Sequence, residues 1–305
     1  MSTTTFRTAV VRTPAGPDSI EIIDLPVVDP RPGEVRVRIA AAPVNPVDLA
    51  VADGLFHGMG LIHQPERTGL GWDFAGTVLA TGPGVGLEVG TRVAGLVEGF
   101  DNDFGTYAEQ LVIPAGGLAV VPDSLDLVAA STIPLNGQTA AQIVDLLGDP
   151  RPGRDQLLVT GAAGAVGGYV ASLAQGRGWR VTGLARAEDE GFVRGLGADF
   201  TTRAEAGWDA VADGGVLQEQ GLALVGDGGR FVGVQPSAQL PPERGITVKT
   251  VLVHSDAEQL GDLLARTASA ELTARVHATV PLAEVADAHR AVAKGGVRGR
   301  YVLIP

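Results

Sequence analysis

The chain has 305 residues, of which 45% are hydrophobic and 19% are charged, a composition that permits a sizeable buried core. Its 35 acidic and 23 basic residues give a net charge of −12, which disfavours nucleic acid and anionic membrane surfaces as partners. It contains no cysteine, which excludes disulfides, thiolate zinc sites, iron–sulfur clusters and a cysteine nucleophile.

Targeting segments and local metal motifs are missing from the sequence. The N-terminus lacks the apolar core of a signal peptide, and no run of about 18 apolar residues occurs. No two of the five histidines have the spacing of a helical zinc motif. We therefore expect a cytoplasmic protein without a bound metal.

The sequence changes character near residue 122. Residues 1–122 consist of short β-rich segments broken by glycine and proline, such as "EVRVRIAAAPV" and "DFAGTVLATG", and predict an irregular β-barrel-like domain. Beyond them, strand-like runs alternate with helix-length segments, which predicts a parallel sheet. The predicted strands cover residues 156–160, 180–185, 208–213, 230–235 and 247–253. Near the end, a helical pattern in "PLAEVADAHRAVAKGG" precedes a strand-like "GRYVLIP".

A glycine-rich stretch, "VTGAAGAVGG", follows the first of these strands. A helical pattern begins inside it, so unpaired backbone N–H groups at the helix start can hold a pyrophosphate. The alternative is a structural turn in which strand and helix pack closely. The residues predicted to contact the cofactor are Gly161, Ala162, Ala163, Gly164, Ala165, Val166 and Gly167.

The next strand ends at Arg186, where a dinucleotide fold holds the adenosine ribose. An arginine at this position suits the 2′-phosphate of NADPH, whereas an acidic residue would suit NAD. The alternative is a solvated surface arginine, and the acidic residues 188–190 would weaken phosphate binding if they faced it. Gly233, Val234 and Gln235 end a later strand and are predicted to line the nicotinamide side. Asp213-Gly214-Gly215 ends the strand before it and is a second-rank candidate.

Several longer segments together resemble the medium-chain dehydrogenase/reductase superfamily, in particular its zinc-free quinone oxidoreductase (ζ-crystallin-like) branch. Among them are "AAPVNPVDLAVADGLF", "GWDFAGTVLATGPGV", "GTYAEQLVIPAGGLAVVPDSL" and "LLVTGAAGAVGGYVASLAQ". The resemblance implies an α/β protein with two domains. A GroES-like β-rich catalytic domain covers residues 1–122 and is completed by 275–305, and a Rossmann doubly wound parallel-sheet domain covers 123–274.

Zinc-dependent relatives carry a cysteine and a histidine where this chain has Asn45 and Trp72. Neither an amide nor an indole replaces a thiolate or an imidazole on zinc. The resemblance therefore implies zinc-independent hydride transfer from NADPH to a quinone. An enone reductase is the alternative, although no side chain stands out as the proton donor that an enone needs. A nucleotide-binding module without catalysis is a further alternative.

The resemblance also assigns roles to single residues. It places Asn45 beside the nicotinamide ribose and the substrate, with an amide able to donate to an oxyanion, although Asn45 also fits a helix N-cap partnered by Asp48. It places Thr139 near the nicotinamide carboxamide, unless Thr139 only caps a helix. Phe56 and Trp72 are candidates for an apolar acceptor pocket, with a core position as the alternative. We expect a homodimer that forms through residues 246–253.

Overall fold

The computed structural model describes residues 4–234 and 239–305. The strands are β1 (Thr5–Val11), β2 (Ile20–Pro26), β3 (Glu34–Pro43), β4 (Thr68–Gly69), β5 (Asp73–Thr81), β6 (Arg92–Leu96), β7 (Gln110–Pro114), β8 (Ala119–Val120), β9 (Gln156–Thr160), β10 (Arg180–Leu184), β11 (Asp199–Thr201), β12 (Trp208–Asp213), β13 (Val225–Gly233), β14 (Thr247–Thr250), β15 (Val276–Pro281) and β16 (Arg300–Ile304). The α-helices are α1 (Pro46–Ala52), α2 (Leu55–Gly58), α3 (Leu127–Ser131), α4 (Pro134–Leu147), α5 (Ala165–Gln175), α6 (Glu190–Gly195), α7 (Glu219–Ala223), α8 (Ala257–Ala268) and α9 (Val285–Ala293).

The chain divides into two compact units. We call Met1–Leu135 with His254–Pro305 the β-rich unit, and Asn136–Val253 the parallel-sheet unit. Residues 123–135 and 254–274, which the sequence analysis assigns to the Rossmann domain, therefore belong to the β-rich unit. The reason is packing, because α3 lies against β3 and β5, and α8 lies against β8.

In the β-rich unit, the described residues form one sheet in the order β15-β16-β3-β5-β6-β8, with β7 also paired to β3, and a smaller sheet in the order β2-β1-β4. Side chains of β3 alternate as a half-buried strand requires, with Val35, Val37 and Ile39 directed into the core. The last strand, β16, pairs antiparallel with the end of β3. The C-terminal segment thereby completes this unit.

In the parallel-sheet unit, the described strands are ordered β11-β10-β9-β12-β13-β14, and every neighbouring pair is parallel. The central strand β9 is a run of buried aliphatic residues, as expected for a parallel sheet covered on both faces. The strand order reverses between β9 and β12, and ligands of doubly wound sheets bind at the carboxyl edge beside such a point. The predicted doubly wound sheet is confirmed.

Four strands of this sheet differ from the prediction. β10 ends at Leu184 instead of residue 185, and β14 ends at Thr250 instead of residue 253. β13 begins at Val225 instead of residue 230, because Val225 already pairs with Trp208 before the register shifts across an irregular, glycine-rich stretch. The three-residue β11 was not predicted, since it is too short to show a period. Among the described residues, no helix is both long enough and apolar enough to cross a membrane.

Candidate functional site

The turn from β9 into α5 contains two glycines that the protein's own packing requires. Gly161 has a φ of +60°, and a Cβ there would lie 2.8 Å from the Cα of Gly215. A Cβ on Gly167 would lie only 2.3 Å from the carbonyl oxygen of Gly161. These two glycines therefore allow α5 to approach the end of β9 closely, as the structural alternative for the glycine stretch requires.

Gly164 differs from the other two. It is exposed, has an ordinary φ of −72°, and its added Cβ would meet only the Gly161 carbonyl oxygen, at 3.0 Å. It is the N-cap residue of α5. The structure describes every residue in the first turn of α5, and none of them is acidic. The first N–H groups of a helix have no intrahelical acceptor and lie at the positive end of its dipole. The space over Gly164 is thus suited to an anion.

A buried carboxylate fixes the carboxyl edge of the sheet next to this turn. Asp213, at the end of β12, accepts the Thr160 hydroxyl at 2.5 Å and the backbone N–H groups of Leu217 and Gln218 at 3.0 and 2.8 Å. The N–H of Gly215 donates to the Thr160 hydroxyl oxygen at 2.9 Å. The Asp-Gly-Gly that ends β12 made Asp213 a second-rank candidate in the sequence analysis, which did not identify Thr160.

The other predicted residues of the parallel-sheet unit lie as follows. Gly233 is the last residue of β13 and Val234 follows it, both at the carboxyl edge, whereas Gln235 lies outside the described residues. Thr139 is buried in the second turn of α4, which begins at Pro134. The alternative that Thr139 caps this helix is therefore wrong, and its contact with a cofactor stays a prediction.

Arg186 follows β10 and already has two anionic neighbours. Its Nε lies 3.3 Å from Glu188 Oε1 and 3.3 Å from Asp189 Oδ2. The side chains of Arg186 and Glu188 are 57% and 61% exposed, whereas that of Asp189 is 2% exposed. A phosphate at Arg186 would therefore compete with the solvent-exposed Glu188 carboxylate, while the buried Asp189 holds the guanidinium in place.

In the β-rich unit, Asn45 belongs to a buried polar cluster with Asp73 and Arg300. The amide Nδ2 of Asn45 donates to Asp73 Oδ1 at 2.8 Å, and Arg300 Nε donates to Asn45 Oδ1 at 2.8 Å. Asn45 is 1% exposed and Asp73 is fully buried. Both ends of the amide are therefore engaged, and donation to a substrate oxyanion would have to come from the second N–H of Nδ2, which makes a weak 3.5 Å contact with the Pro43 carbonyl oxygen.

Asp48 acts as the cap partner, as predicted. One of its carboxylate oxygens accepts the backbone N–H of Asn45 at 2.8 Å, and the other accepts that of Gly71 at 3.1 Å. Burial raises the pKa of Asp48 to about 7, while these hydrogen bonds and the Tyr107 hydroxyl act in the opposite direction.

The buried carboxyl group of Asp73 is affected in the same way. Burial, followed by the nearby Asp48 carboxylate, raises the pKa of Asp73 to about 8. The Leu135 N–H, the Asn45 amide and the charge of Arg300 oppose this rise. Each of the two Asp73 oxygens faces an N–H donor, an arrangement that suits the ionised form.

The donors at positions 45 and 72 do not fit zinc. The oxygen of the Asn45 amide binds Arg300, and the indole of Trp72 has no lone pair for a metal. Within residues 4–234 and 239–305, no three His, Asp or Glu side chains are gathered as a metal would require. We therefore derive no chemical step through zinc in this chain.

Phe56 and Trp72 meet at a third aromatic ring that the sequence analysis missed. The Phe100 ring centroid lies 4.2 Å from that of Phe56 and 5.2 Å from that of Trp72. Phe56 is only 8% exposed, so its ring fits the core alternative, whereas Trp72 is half-buried. No regular spacing links Phe100 to the other two rings, so the sequence carries no signal for this cluster.

Two family models match the chain. The alcohol dehydrogenase GroES-like domain matches residues 31–123, and a model described as zinc-binding dehydrogenase matches residues 188–303. The GroES-like character expected for the β-rich domain is thereby confirmed.

Similar proteins include reductases for different acceptors. A chloroplastic quinone-oxidoreductase homolog from Spinacia oleracea is 29% identical over 60% of this chain and 56% of its own length. A 2-haloacrylate reductase from a Burkholderia species is 32% identical over 63% of this chain and 57% of its own length. The chain spans about half the length, or less, of several curated relatives that it matches.

Solved structures share the fold over the whole chain. The quinone oxidoreductase from Coxiella burnetii superposes with a TM-score of 0.89, at 23% identity, and covers 99% of this chain and 100% of that one. At this identity the likeness establishes the fold.

Proposed function

The chain belongs to the medium-chain dehydrogenase/reductase superfamily of oxidoreductases, and from that premise we propose that it transfers hydride from NADPH to a quinone or a similar electron-poor acceptor, without zinc. The observation that carries the proposal is the open N-terminus of α5 over Gly164, beside two glycines that bring helix and strand together. This geometry supports a main-chain cradle for a dinucleotide pyrophosphate.

Different residues of the parallel-sheet unit would bind different parts of the cofactor. The N–H groups of residues 165–167 would bind the pyrophosphate, because those of Ala162 and Gly164 already donate to the carbonyl oxygens of Leu184 and Gly161. Arg186 would bind the 2′-phosphate after displacing Glu188. Gly233, Val234, Gln235 and Thr139 would contact the nicotinamide side. NADPH, when bound, supplies the hydride.

The donor set at positions 45 and 72 supports reduction of an acceptor that is already electron-poor. An alcohol must lose its hydroxyl proton as it is oxidised, and neither Asn45 nor Trp72 offers the zinc ligand that would assist this step. Asn45 would position Asp73 and Arg300. Its second amide N–H would donate to the developing oxyanion. The exposed part of Trp72, which packs on Phe100 and through it on Phe56, would provide an apolar wall for a planar acceptor.

A second candidate is an NADPH-dependent reductase of α,β-unsaturated carbonyl compounds. The relative named 2-haloacrylate reductase, at 32% identity, supports this candidate, and the spinach relative supports the quinone. Both reactions use the same hydride donor. They differ in the proton that an enone must receive at its α-carbon.

The test is the rate of NADPH and NADH consumption with a panel of quinones and enones, for the natural chain and for Arg186→Ala. We expect NADPH to be preferred, and Arg186→Ala to raise the KM for NADPH by about tenfold or more, the loss expected for charge-assisted phosphate bonds. Arg180→Ala, at the opposite end of β10, is the matched control. An unchanged NADPH preference in Arg186→Ala would refute the role of Arg186. Tight NADPH binding without turnover of any acceptor would favour a non-catalytic module.

The proposal includes a homodimer formed through β14. This strand lies at the edge of the parallel sheet, so its outer backbone groups are available for pairing with a second copy. Light scattering coupled to size-exclusion chromatography measures the molar mass directly. A monomer at micromolar concentration would contradict this part of the proposal.

A further inference from the structure

The β-rich unit contains a cavity of about 180 Å³ that the proposed reaction does not use. Phe6 of β1 and Leu25 of β2, which are paired directly across the hairpin, form one wall. The opposite wall contains Arg36 of β3 and its cross-strand neighbour Val112 of β7. Val28, which is 53% exposed, also lines the cavity, so the cavity reaches the protein surface.

Three polar atoms of residues lining this cavity are buried without a hydrogen bond. They are the Nε atoms of Arg36 and Arg67 and the Oε1 atom of Gln110, none of which has a partner within residues 4–234 and 239–305. Gln110 lies two residues before Val112 on β7 and therefore on the same face as Arg36. Buried polar atoms nearly always have a hydrogen-bond partner in native proteins, so three unpaired atoms around one cavity point to a polar ligand that binds there.

The charges around the cavity favour an anion. Arg67 has acidic partners, because it lies 3.6 Å from Asp103, which also lines the cavity, and 3.3 Å from the exposed Glu66. Arg36 forms no ion pair in the described part of the chain and is half-buried. A half-buried guanidinium without a counter-charge binds a carboxylate with charge-assisted hydrogen bonds.

We propose that this cavity binds a small monocarboxylate whose apolar part is one aromatic ring or a short aliphatic chain, with the carboxylate on Arg36. The apolar part would contact Phe6, Leu25 and Val112. A hydroxyl on the ligand would donate to Gln110 Oε1, so that the ligand would pair two of the three unpaired atoms. In size, the cavity resembles engineered protein cavities of roughly 150 Å³, which bind benzene.

Benzoate is the probe for this site, and benzyl alcohol is its uncharged counterpart. Binding of each to the full chain is measured by isothermal titration calorimetry or by ligand-observed NMR. The variant Arg36→Gln removes the charge but keeps a polar side chain of similar reach. Arg38→Gln is the matched control, because Arg38 lies on the same strand, is exposed and does not line the cavity.

We expect benzoate to bind at least about tenfold more tightly than benzyl alcohol, and Arg36→Gln to abolish this difference while Arg38→Gln keeps it. A hydroxyl-bearing probe, 4-hydroxybenzoate, should bind at least as tightly as benzoate. Val112→Phe, which fills the cavity beside Arg36, should prevent binding of both compounds, with thermal unfolding as the check that the variant folds.

Three results would overturn the proposal. One is no benzoate binding at millimolar concentration, and another is equal affinity for benzoate and benzyl alcohol. The third is an affinity for benzoate that Arg36→Gln leaves unchanged, which would place the anion elsewhere in the protein. Because Arg36 is outside the proposed cofactor and acceptor residues, failure of this site leaves the proposed reductase function untouched, and the reverse also holds.

Discussion

Gly164→Ala and Gly167→Ala separate the two roles of the glycine turn. At position 167 the new Cβ would lie 2.3 Å from the Gly161 carbonyl oxygen, so the backbone has to move by about 1 Å to reach an ordinary contact. Overpacking of this kind costs about 1–3 kcal/mol, and alanine recovers about 1 kcal/mol through its helix propensity. Because the atoms nearest to the new methyl group are all backbone atoms, the upper end of the overpacking range applies, and after the gain in helix propensity we expect Gly167→Ala to lose about 2 kcal/mol of stability.

At position 164 the methyl group meets only one atom, at 3.0 Å, in an allowed backbone conformation. The loss of stability should stay below about 1 kcal/mol, most of it from replacing a glycine N-cap by alanine. The methyl group would nevertheless occupy the space over the first turn of α5. We expect the Kd for NADPH to rise by about tenfold or more, since each displaced phosphate hydrogen bond is charge-assisted.

The assay combines urea unfolding followed by circular dichroism with a fluorescence titration of NADPH, on both variants and the natural chain. The two variants serve as controls for each other. If Gly164→Ala bound NADPH with unchanged affinity, the pyrophosphate would not lie over this turn, and the glycines would serve packing alone. If Gly167→Ala were as stable as the natural chain, the packing argument would fail.

Three further predictions concern single side chains. Glu188→Gln should lower the KM for NADPH by about two- to fivefold without changing that for NADH, because an exposed competing ion pair is worth at most about 1 kcal/mol; equal changes for both cofactors would contradict this. Asn45→Ala should lose about 3 kcal/mol of unfolding free energy, since Asp73 loses a donor and Arg300 an acceptor, and a loss under about 1 kcal/mol would show that water replaces the amide. Burial lowers the pKa of His289 from 6.5 to about 4, so between these pH values the unfolded chain binds a proton that the folded chain does not bind. The free energy of unfolding should therefore fall by about 3 kcal/mol as the pH drops through this range. His289→Phe should remove that contribution, because neither ring nitrogen has a partner among the described residues, and an identical pH profile for both proteins would speak against it.

Local sequence patterns predicted those features that depend on local chemistry. The aliphatic runs of β9 and β12 gave their bounds correctly, because a central parallel strand is buried on both faces and shows no polar alternation. The capping role of Asp48 followed from its three-residue spacing to Asn45. By contrast, β13 begins earlier than predicted, since its first residue, Val225, is separated from the hydrophobic run at 231–232 by a glycine-rich stretch that hides the pattern.

The contacts between distant residues could not be predicted in this way. Arg300 reaches Asn45 across 255 residues, and Asp213 meets Thr160 across 53, so no periodicity within one element connects either pair. Arg186 was predicted to follow its strand, and it does, but its pairing with Glu188 depends on the short turn that starts there. Phe100 lies in a loop without regular structure and was missed for the same reason.

The hydrogen bonds of Asp213 have a consequence for the kinetics of association. Because this carboxylate already holds the strand ends and the segment after β12, the edge of the sheet is rigid before any ligand arrives. A ligand that docks there loses its own freedom but does not have to immobilise the backbone that receives it. The association rate at this edge is then limited by diffusion and orientation. Differences in affinity among ligands therefore lie mainly in their dissociation rates.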